Sequence, residues 1–250
     1  MPSSSSITDA VRERYSNIAE KSGSCCGPSC CDSSVSDIST GYSVEELASI
    51  PEGANLSLGC GNPTGLAEIH KGETVIDLGS GAGIDCFLAA QKVGPSGHVI
   101  GIDMTEAMIR KARENAAKGG HANVEFRFGQ IEQMPVADNT ADMVISNCVI
   151  NLAPDKGRVF EEIFRVLKPG GRFVVSDIVA KGTIPEEDRK DMELWAGCIA
   201  GALVKDAYLQ IVRDAGFVDL DVKAEVDYDY RKSESFTLTS MTLQAFKPAL

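Results

Sequence analysis

Thiols and glycines are the residues of this chain whose spacing suggests chemistry. Eight cysteines are present. Cys60 lies in LGCGNP with glycine on both sides; flanking glycines cost backbone entropy, so the loop suggests close approach to something, a simple turn being the alternative. Cys148 closes an apolar run in SNCVINL, and Cys198 sits in WAGCIAGAL between the only tryptophan and a patch of small residues. Taken singly, each reads as a buried structural thiol, as does Cys86 beside Phe87 and Leu88. Cys25, Cys26, Cys30 and Cys31 crowd into SGSCCGPSCCDSS, whose Ser, Gly and Pro content denies it regular structure. Their spacing suits a closed soft-metal site, and a flexible tail whose thiols exchange disulfides fits at least as well.

The second candidate is TVIDLGSGAG, Thr74 to Gly83. Val75, Ile76 and Leu78 read as a buried parallel strand containing Asp77; Gly79, Gly81 and Gly83 then let the backbone pass close under a ligand as it turns into a helix. A dinucleotide fingerprint needs glycine where Ile84 stands, and the Gly-Lys-Ser/Thr ending of a triphosphate loop is missing. The next strand, HVIGID, ends in Asp103, 26 residues after Asp77, where a carboxylate can accept hydrogen bonds from ribose hydroxyls.

The elements that must position these residues alternate as in a doubly wound α/β sheet. Val11, Tyr15, Ile18 and Ala19 recur at helical spacing, which predicts an amphipathic helix laid on the domain. Ser43 and Glu46 form a capping box for a short helix ended by Pro51, and Thr105 caps a helix with the stripe Met108, Ile109, Ala112 and Ala116. VEFRF is the third strand, ADMVISNCVINL the fourth, ending at Asn147 and Cys148, and RFVVSDIV the fifth. The segment from Ile184 to Phe217 reads as helical; DLDVKAEV alternates with period two, and FTLTSMTLQAF is its antiparallel partner. Ligands of open α/β sheets bind beyond the carboxyl ends of the strands. Cys60, Cys148 and Cys198 fall on that edge, whereas His70, His98 and His121 each precede a strand and fall on the other, so no imidazole base is expected near the reacting group.

A formal charge of −12 argues against a nucleic-acid surface. No apolar run is long enough for a membrane span and no signal peptide is visible, so no membrane partner is expected. Thiol-rich but well-patterned α/β sequence fits a reducing cytoplasmic setting better than a secreted disulfide scaffold.

DLGSGAG, the acid at Asp103 and LKPGG (Leu167 to Gly171) stand in the order of the class I S-adenosylmethionine (SAM) methyltransferases, and the chain resembles that family over roughly residues 72 to 180. The resemblance implies a Rossmann-like, mostly parallel seven-stranded sheet with one antiparallel edge strand and a small substrate-binding appendage. Three regions are expected: 1–71 with the helix, the Cys-rich arm and the Cys60 loop; 72–180 as the SAM-binding core; and 181–250 completing the sheet and the substrate site. It also implies that Asp77, Gly79, Gly81 and Gly83 shape the cofactor pocket, Asp103 holds the ribose, and Gln130, Ile131 and Glu132 lie where the adenine is read, with Met104 and Asn147 also at the cofactor. The Asn/Asp-Pro-Pro-aromatic run of base-modifying relatives is missing after Ser146, which weakens a nucleic-acid or amino-nitrogen substrate.

Three thiols and no base suggest a soft, thiophilic acceptor such as trivalent arsenic, which takes three sulfur ligands and keeps a lone pair at the apex. LGCGNP, SNCVINL, WAGCIAGAL and the CCGPSCC arm are similar to the arsenite methyltransferases over about residues 23 to 247. That resemblance implies As(III) bound by Cys60, Cys148 and Cys198 and methylated from SAM by in-line displacement. It further implies reduction back to the trivalent state by disulfide formation and reset by thioredoxin or glutathione. Some members pair the cysteine matching Cys60 with one upstream, for which Cys25, Cys26, Cys30 and Cys31 are the candidates here. Two other readings are a C- or O-methyltransferase of small organic acceptors and a non-catalytic metalloid-sequestering protein.

Overall fold

The computed structural model describes residues 3–20, 41–228 and 236–249, so the four arm cysteines lie outside the described residues. Helices α1 (Ser4–Glu20), α2 (Val44–Ala48) and α3 (Pro63–Leu66) precede the sheet. Then come β1 (Thr74–Leu78), α4 (Ile84–Val93), β2 (His98–Asp103), α5 (Glu106–Gly119), β3 (Val124–Phe128), β4 (Ala141–Asn147), α6 (Lys156–Val166) and β5 (Leu167–Gly182). The chain closes with α7 (Met192–Ala196), the two-residue β6 (Leu203–Val204), α8 (Lys205–Asp214), β7 (Val218–Tyr228) and β8 (Phe236–Phe246).

The strand order is β3-β2-β1-β4-β5-β8-β7, with β6 paired to β5 off that path. The first five strands of the path are parallel, and β8 is antiparallel to both of its neighbours. The antiparallel strand therefore lies one place in from the edge, which β7 occupies. Composition explains this: β8 is buried along nearly its whole length, whereas β7 alternates charged residues with apolar ones and tolerates solvent.

Period-two alternation distributes β1 across the sheet. Ile76 and Leu78 enter the core shared with α6 and α8, and Val75 enters the one shared with α4. Asp77 faces the α4 side and accepts a 3.2 Å hydrogen bond from the Cys86 thiol. The Ser43–Glu46 capping box forms as expected, although α2 ends at Ala48, before Pro51. Thr105 occupies the N-cap of α5 without a side-chain cap.

The helical reading of 184–217 is corrected: α7 and α8 are separate helices with a turn and β6 between them. Gly197 and Gly201 flank the break, and an added Cβ at Gly201 would strike the Asn151 carbonyl and the Trp195 ring, so close packing here needs glycine. Cys198 sits in that turn at φ +63°.

Candidate active site: a glycine-rich cleft beside converging cysteines

The carboxyl ends of β1, β2 and β4 open into a cleft whose empty space, mouth included, is about 1140 Å³. Gly79 and Gly81 form its floor at φ +65° and +51°. A Cβ at Gly81 would meet no atom within 4 Å and would project into open space, so the loop forms a cradle that a side chain would fill. Gly83 serves the core instead, because a Cβ there would lie 2.7 Å from the Phe87 ring and keep the start of α4 from closing on it. The Asp103 carboxylate braces the cleft floor, accepting from the Gly81 amide at 3.0 Å and from the Thr105 amide at 2.8 Å.

Asp77, Asp103, Met104, Ile131, Glu132 and Asn147 all line the cleft. Gln130 does not; it is exposed and forms an isolated antiparallel bridge with Gln133 beyond the end of β3. His98 instead lies 3.5 Å from Glu125, His121 stacks on Phe87, and His70 is exposed ahead of β1; none lines the cleft.

Beside the cleft, Cys60, Cys148 and Cys198 share one buried cluster with Trp195, Leu152 and the Ile7 and Val11 face of α1. Cys60 and Cys148, 88 residues apart, are joined by a disulfide with Cα atoms 5.7 Å apart. Cys60 is thus bonded to Cys148 here, and the arm cysteines named as its candidate partners lie outside the described residues. Cys198 is a free thiol and donates a 2.8 Å hydrogen bond to the Cys148 carbonyl. Burial, then the Asp177 charge, push its pKa well above the usual thiol range, with the Lys156 charge opposing. Among the described residues no group of three or more His, Cys, Asp or Glu is placed to hold a metal ion, and two of the three clustered sulfurs are bonded to each other.

Local backbone carries these cysteines into place at a cost. Cys148 and Cys198 lie at φ +62° and +63°, a region that costs a residue with a Cβ roughly 1–2 kcal/mol. Each is held there by bonds to β5 or its neighbours. The Cys148 amide donates to the Ser176 carbonyl at 2.7 Å, and Asn151 Nδ2 donates to the Ile178 carbonyl at 2.6 Å and to the Cys198 carbonyl at 3.4 Å. Cys60 needs its glycines: a Cβ at Gly59 would stand 2.6 Å from Asn147 Nδ2, and one at Gly61 would stand 2.8 Å from Ser176 Cβ.

A family model described as a methyltransferase domain matches residues 69–216. The chain belongs to that family of methyltransferase domains. An arsenite methyltransferase of Halobacterium salinarum is 47% identical over 96% of this chain and 66% of its own length. One from Aquipseudomonas alcaligenes is 37% identical over 84% of this chain and 62% of its own. The chain thus spans about two thirds or less of the curated relatives it matches. The crystal structure of an arsenic (III) S-adenosylmethionine methyltransferase from Chlamydomonas reinhardtii superposes with a TM-score of 0.70 at 33% identity, covering 85% of this chain and 73% of that one.

This methyltransferase domain also uses residues that sequence reasoning missed. Tyr42 and Asp85 line the cleft, with the Tyr42 hydroxyl 2.9 Å from both Asp85 oxygens. Burial raises the Asp85 pKa to about 6, while hydrogen bonds from Tyr42, Asn147 and Thr64 restrain the rise. Glu162, whose side chain is 2% exposed, accepts from the Met134 amide and is paired with Arg165 at 2.7 Å, while Arg158 donates to the Glu132 carbonyl. These bonds pin the loop carrying Ile131 and Glu132. The i,i+3 and i,i+4 spacing of Glu162 with the two arginines was a readable signal; nothing local marked Tyr42.

Proposed function

We propose that this methyltransferase domain transfers methyl groups from SAM to trivalent arsenic in arsenic detoxification: first to arsenite held by Cys60, Cys148 and Cys198, and then to methylarsenite, whose two exchangeable hydroxyls let two of these thiols hold it. The reading rests above all on one observation: three sulfurs from distant parts of the chain lie in one cluster against the wall of a glycine-floored cleft. The names of the relatives at 47% and 37% identity support it.

The cleft fits SAM. The open cradle at Gly81, the Asp103 carboxylate with lone pairs left for ribose hydroxyls, and the apolar Ile131 and Met104 beside Glu132 supply the contacts that a charged nucleoside needs. Bound there, SAM supplies an electrophilic methyl group on a sulfonium.

The disulfide of Cys60 and Cys148 represents the oxidised enzyme. A dithiol reductant of the thioredoxin type, or glutathione, delivers two electrons and two protons and frees both thiols. Arsenite then exchanges its three hydroxyls for three sulfurs, and each thiol proton leaves with a hydroxyl as water. No separate base is required, which agrees with the three histidines lying at the other edge. Thiolate ligation enriches the arsenic lone pair, and the cysteines hold it in line with the methyl carbon, so positioning supplies most of the rate. Methyl transfer raises arsenic formally to the pentavalent state. Two of the thiolates then leave as a disulfide, returning two electrons to arsenic, while water fills the vacated position and releases a proton.

The test is anaerobic incubation of the protein with SAM, arsenite and a thiol reductant, followed by arsenic speciation. Methylated arsenicals with matching consumption of SAM are expected. Unmethylated arsenite alongside intact SAM overturns the reading.

A further inference from the structure

The loop that carries Cys60 is gripped by a single amide. Asn147 Oδ1 accepts from the Cys60 amide at 3.1 Å and the Gly61 amide at 3.2 Å, and Asn147 Nδ2 donates to the Gly61 carbonyl at 2.7 Å. Only this orientation of the amide satisfies the site, since the reverse would set its oxygen against the Gly61 carbonyl and the Asp85 carboxylate. The Cys60 carbonyl is held from the opposite side by Ser240 Oγ at 2.8 Å. The backbone N–H and C=O of Cys60 are therefore both bonded to side chains, although the loop belongs to no regular element.

Asn147 is itself held. Its Nδ2 donates to the Tyr42 hydroxyl at 2.9 Å and approaches Asp85 Oδ2 at 3.3 Å. The Tyr42 proton is committed to Asp85, so toward Asn147 the hydroxyl oxygen can only accept. Tyr42 is 4% exposed and Asp85 3% exposed, which keeps water from replacing either bond. Each group in the chain has one available role, and that makes the arrangement stiff.

We propose that Tyr42 is a positioning residue for Cys60: its hydroxyl, held by Asp85, fixes the Asn147 amide, and that amide fixes the peptide that carries the thiol. Tyr42 touches neither sulfur and acts through Asn147. Its use in arsenic capture rests on the function proposed above, but its effect on the geometry of Cys60 and Cys148 does not. The pair joins Cys60 to the residue that follows Asn147, so the same amide sets both partners of the disulfide. Loss of the hydroxyl frees the Cys60 loop relative to Cys148 and lowers the effective concentration of one thiol at the other.

The experiment contains no arsenic and no SAM, so its failure is distinct from failure of the proposed activity. The wild-type chain, Tyr42→Phe, Asn147→Ala and the double variant are equilibrated in glutathione redox buffers, where two glutathione thiols reduce the pair and leave as oxidised glutathione. After alkylation, cleavage at glutamates separates Cys60, between Glu52 and Glu68, from the arm cysteines, and the peptide linked to Cys148 is quantified by mass spectrometry. Tyr42→Phe is expected to move the midpoint about tenfold toward free thiols, the equivalent of one hydrogen bond. In the Asn147→Ala background it is expected to add nothing, because its route is gone. A midpoint within about twofold of wild type in folded Tyr42→Phe, or a full shift that persists without Asn147, overturns the proposal. Should Tyr42→Phe fail to fold, amide hydrogen exchange of the wild type decides: Cys60 and Gly61 are expected to be the protected amides of the loop, and free exchange at both overturns the clamp.

Discussion

The Cys198 thiol donates to the carbonyl oxygen of Cys148, 50 residues earlier in the chain, across 2.8 Å. That bond joins the turn after α7 to the end of β4, and both cysteines stand in left-handed backbone that their side chains disfavour. Packing alone gives no reason to keep a Cβ at two such positions, whereas a need for sulfur does. Cys198→Ser keeps a donor for the Cys148 carbonyl, and Cys148→Ser keeps its backbone bond to Ser176. Both variants are therefore expected to fold and to bind SAM as wild type does, measured by calorimetric titration, while arsenic methylation falls to background. Full methylation by either variant removes the proposed metalloid site.

The glycines around Cys60 give a second expectation. Gly61→Ala brings a Cβ to 2.8 Å from Ser176 Cβ, and Gly59→Ala to 2.6 Å from Asn147 Nδ2, so the loop must move away from β4 and β5. Overpacking of this kind costs about 1–3 kcal/mol. Gly59 lines the cleft and Gly61 does not, so for Gly61→Ala the urea midpoint and the arsenite KM are expected to worsen while SAM affinity stays within about twofold, as for independent sites, whereas Gly59→Ala is expected to weaken SAM binding as well. Equal loss of SAM affinity in Gly61→Ala would show that the loop and the cleft move together.

Glu162 predicts a different pattern. Removing its carboxylate strands the Met134 amide and leaves Arg165, about a third exposed, with Asp138 as its remaining carboxylate partner at 2.6 Å. Glu162→Ala should cost about 1–3 kcal/mol of stability, the penalty for leaving the buried Met134 amide unsatisfied, seen as a shifted denaturant midpoint. It should also weaken SAM binding, because the loop bearing Ile131 and Glu132 loses its anchor, while the Cys60–Cys148 pairing in redox buffers is unchanged. A stable variant with normal SAM affinity would show that the loop holds itself.

The parts of the site that were legible in the sequence are those encoded locally. DLGSGAG announces a strand, a sharp turn and a helix because each glycine solves a steric problem within a few residues, and Asp103 is readable because β2 follows β1 in sequence and lies beside it in space. The common edge of Cys60, Cys148 and Cys198 followed from topology. What the sequence hid depends on tertiary closure. The break at Cys198 arises because Gly201 must pass the Asn151 carbonyl, and no periodicity in WAGCIAGAL reports that contact. Gln130 stands in a turn past the end of β3, closed by its bridge to Gln133, and no local periodicity reports which residues of that turn face the cleft. Tyr42 lies 105 residues from Asn147, and a lone aromatic before a capping box carries no mark of such a bond.

The same hub makes stability depend on pH with a sign that can be stated in advance. Burial raises the Asp85 pKa from 3.8 to about 6, so between those values the folded protein holds a proton that the unfolded chain has released. Stability contributed by this group is therefore greatest at low pH, falls as pH rises from about 4 to about 6, and is constant above that. The deficit at neutral pH is on the order of 3 kcal/mol, at 1.36 kcal/mol per unit. Asp77, which burial and the Asp85 charge push in the same direction, adds to the trend. Asp85→Asn removes the titration while its amide oxygen can still accept from Tyr42. The stability difference between Asp85→Asn and wild type, from urea midpoints at a series of pH values, should move in favour of the variant as pH rises from 4 to 6 and then level off. A difference that is flat across that range would mean that Asp85 ionises in the fold as it does in water, and that the Tyr42 hydroxyl rests against a solvated carboxylate.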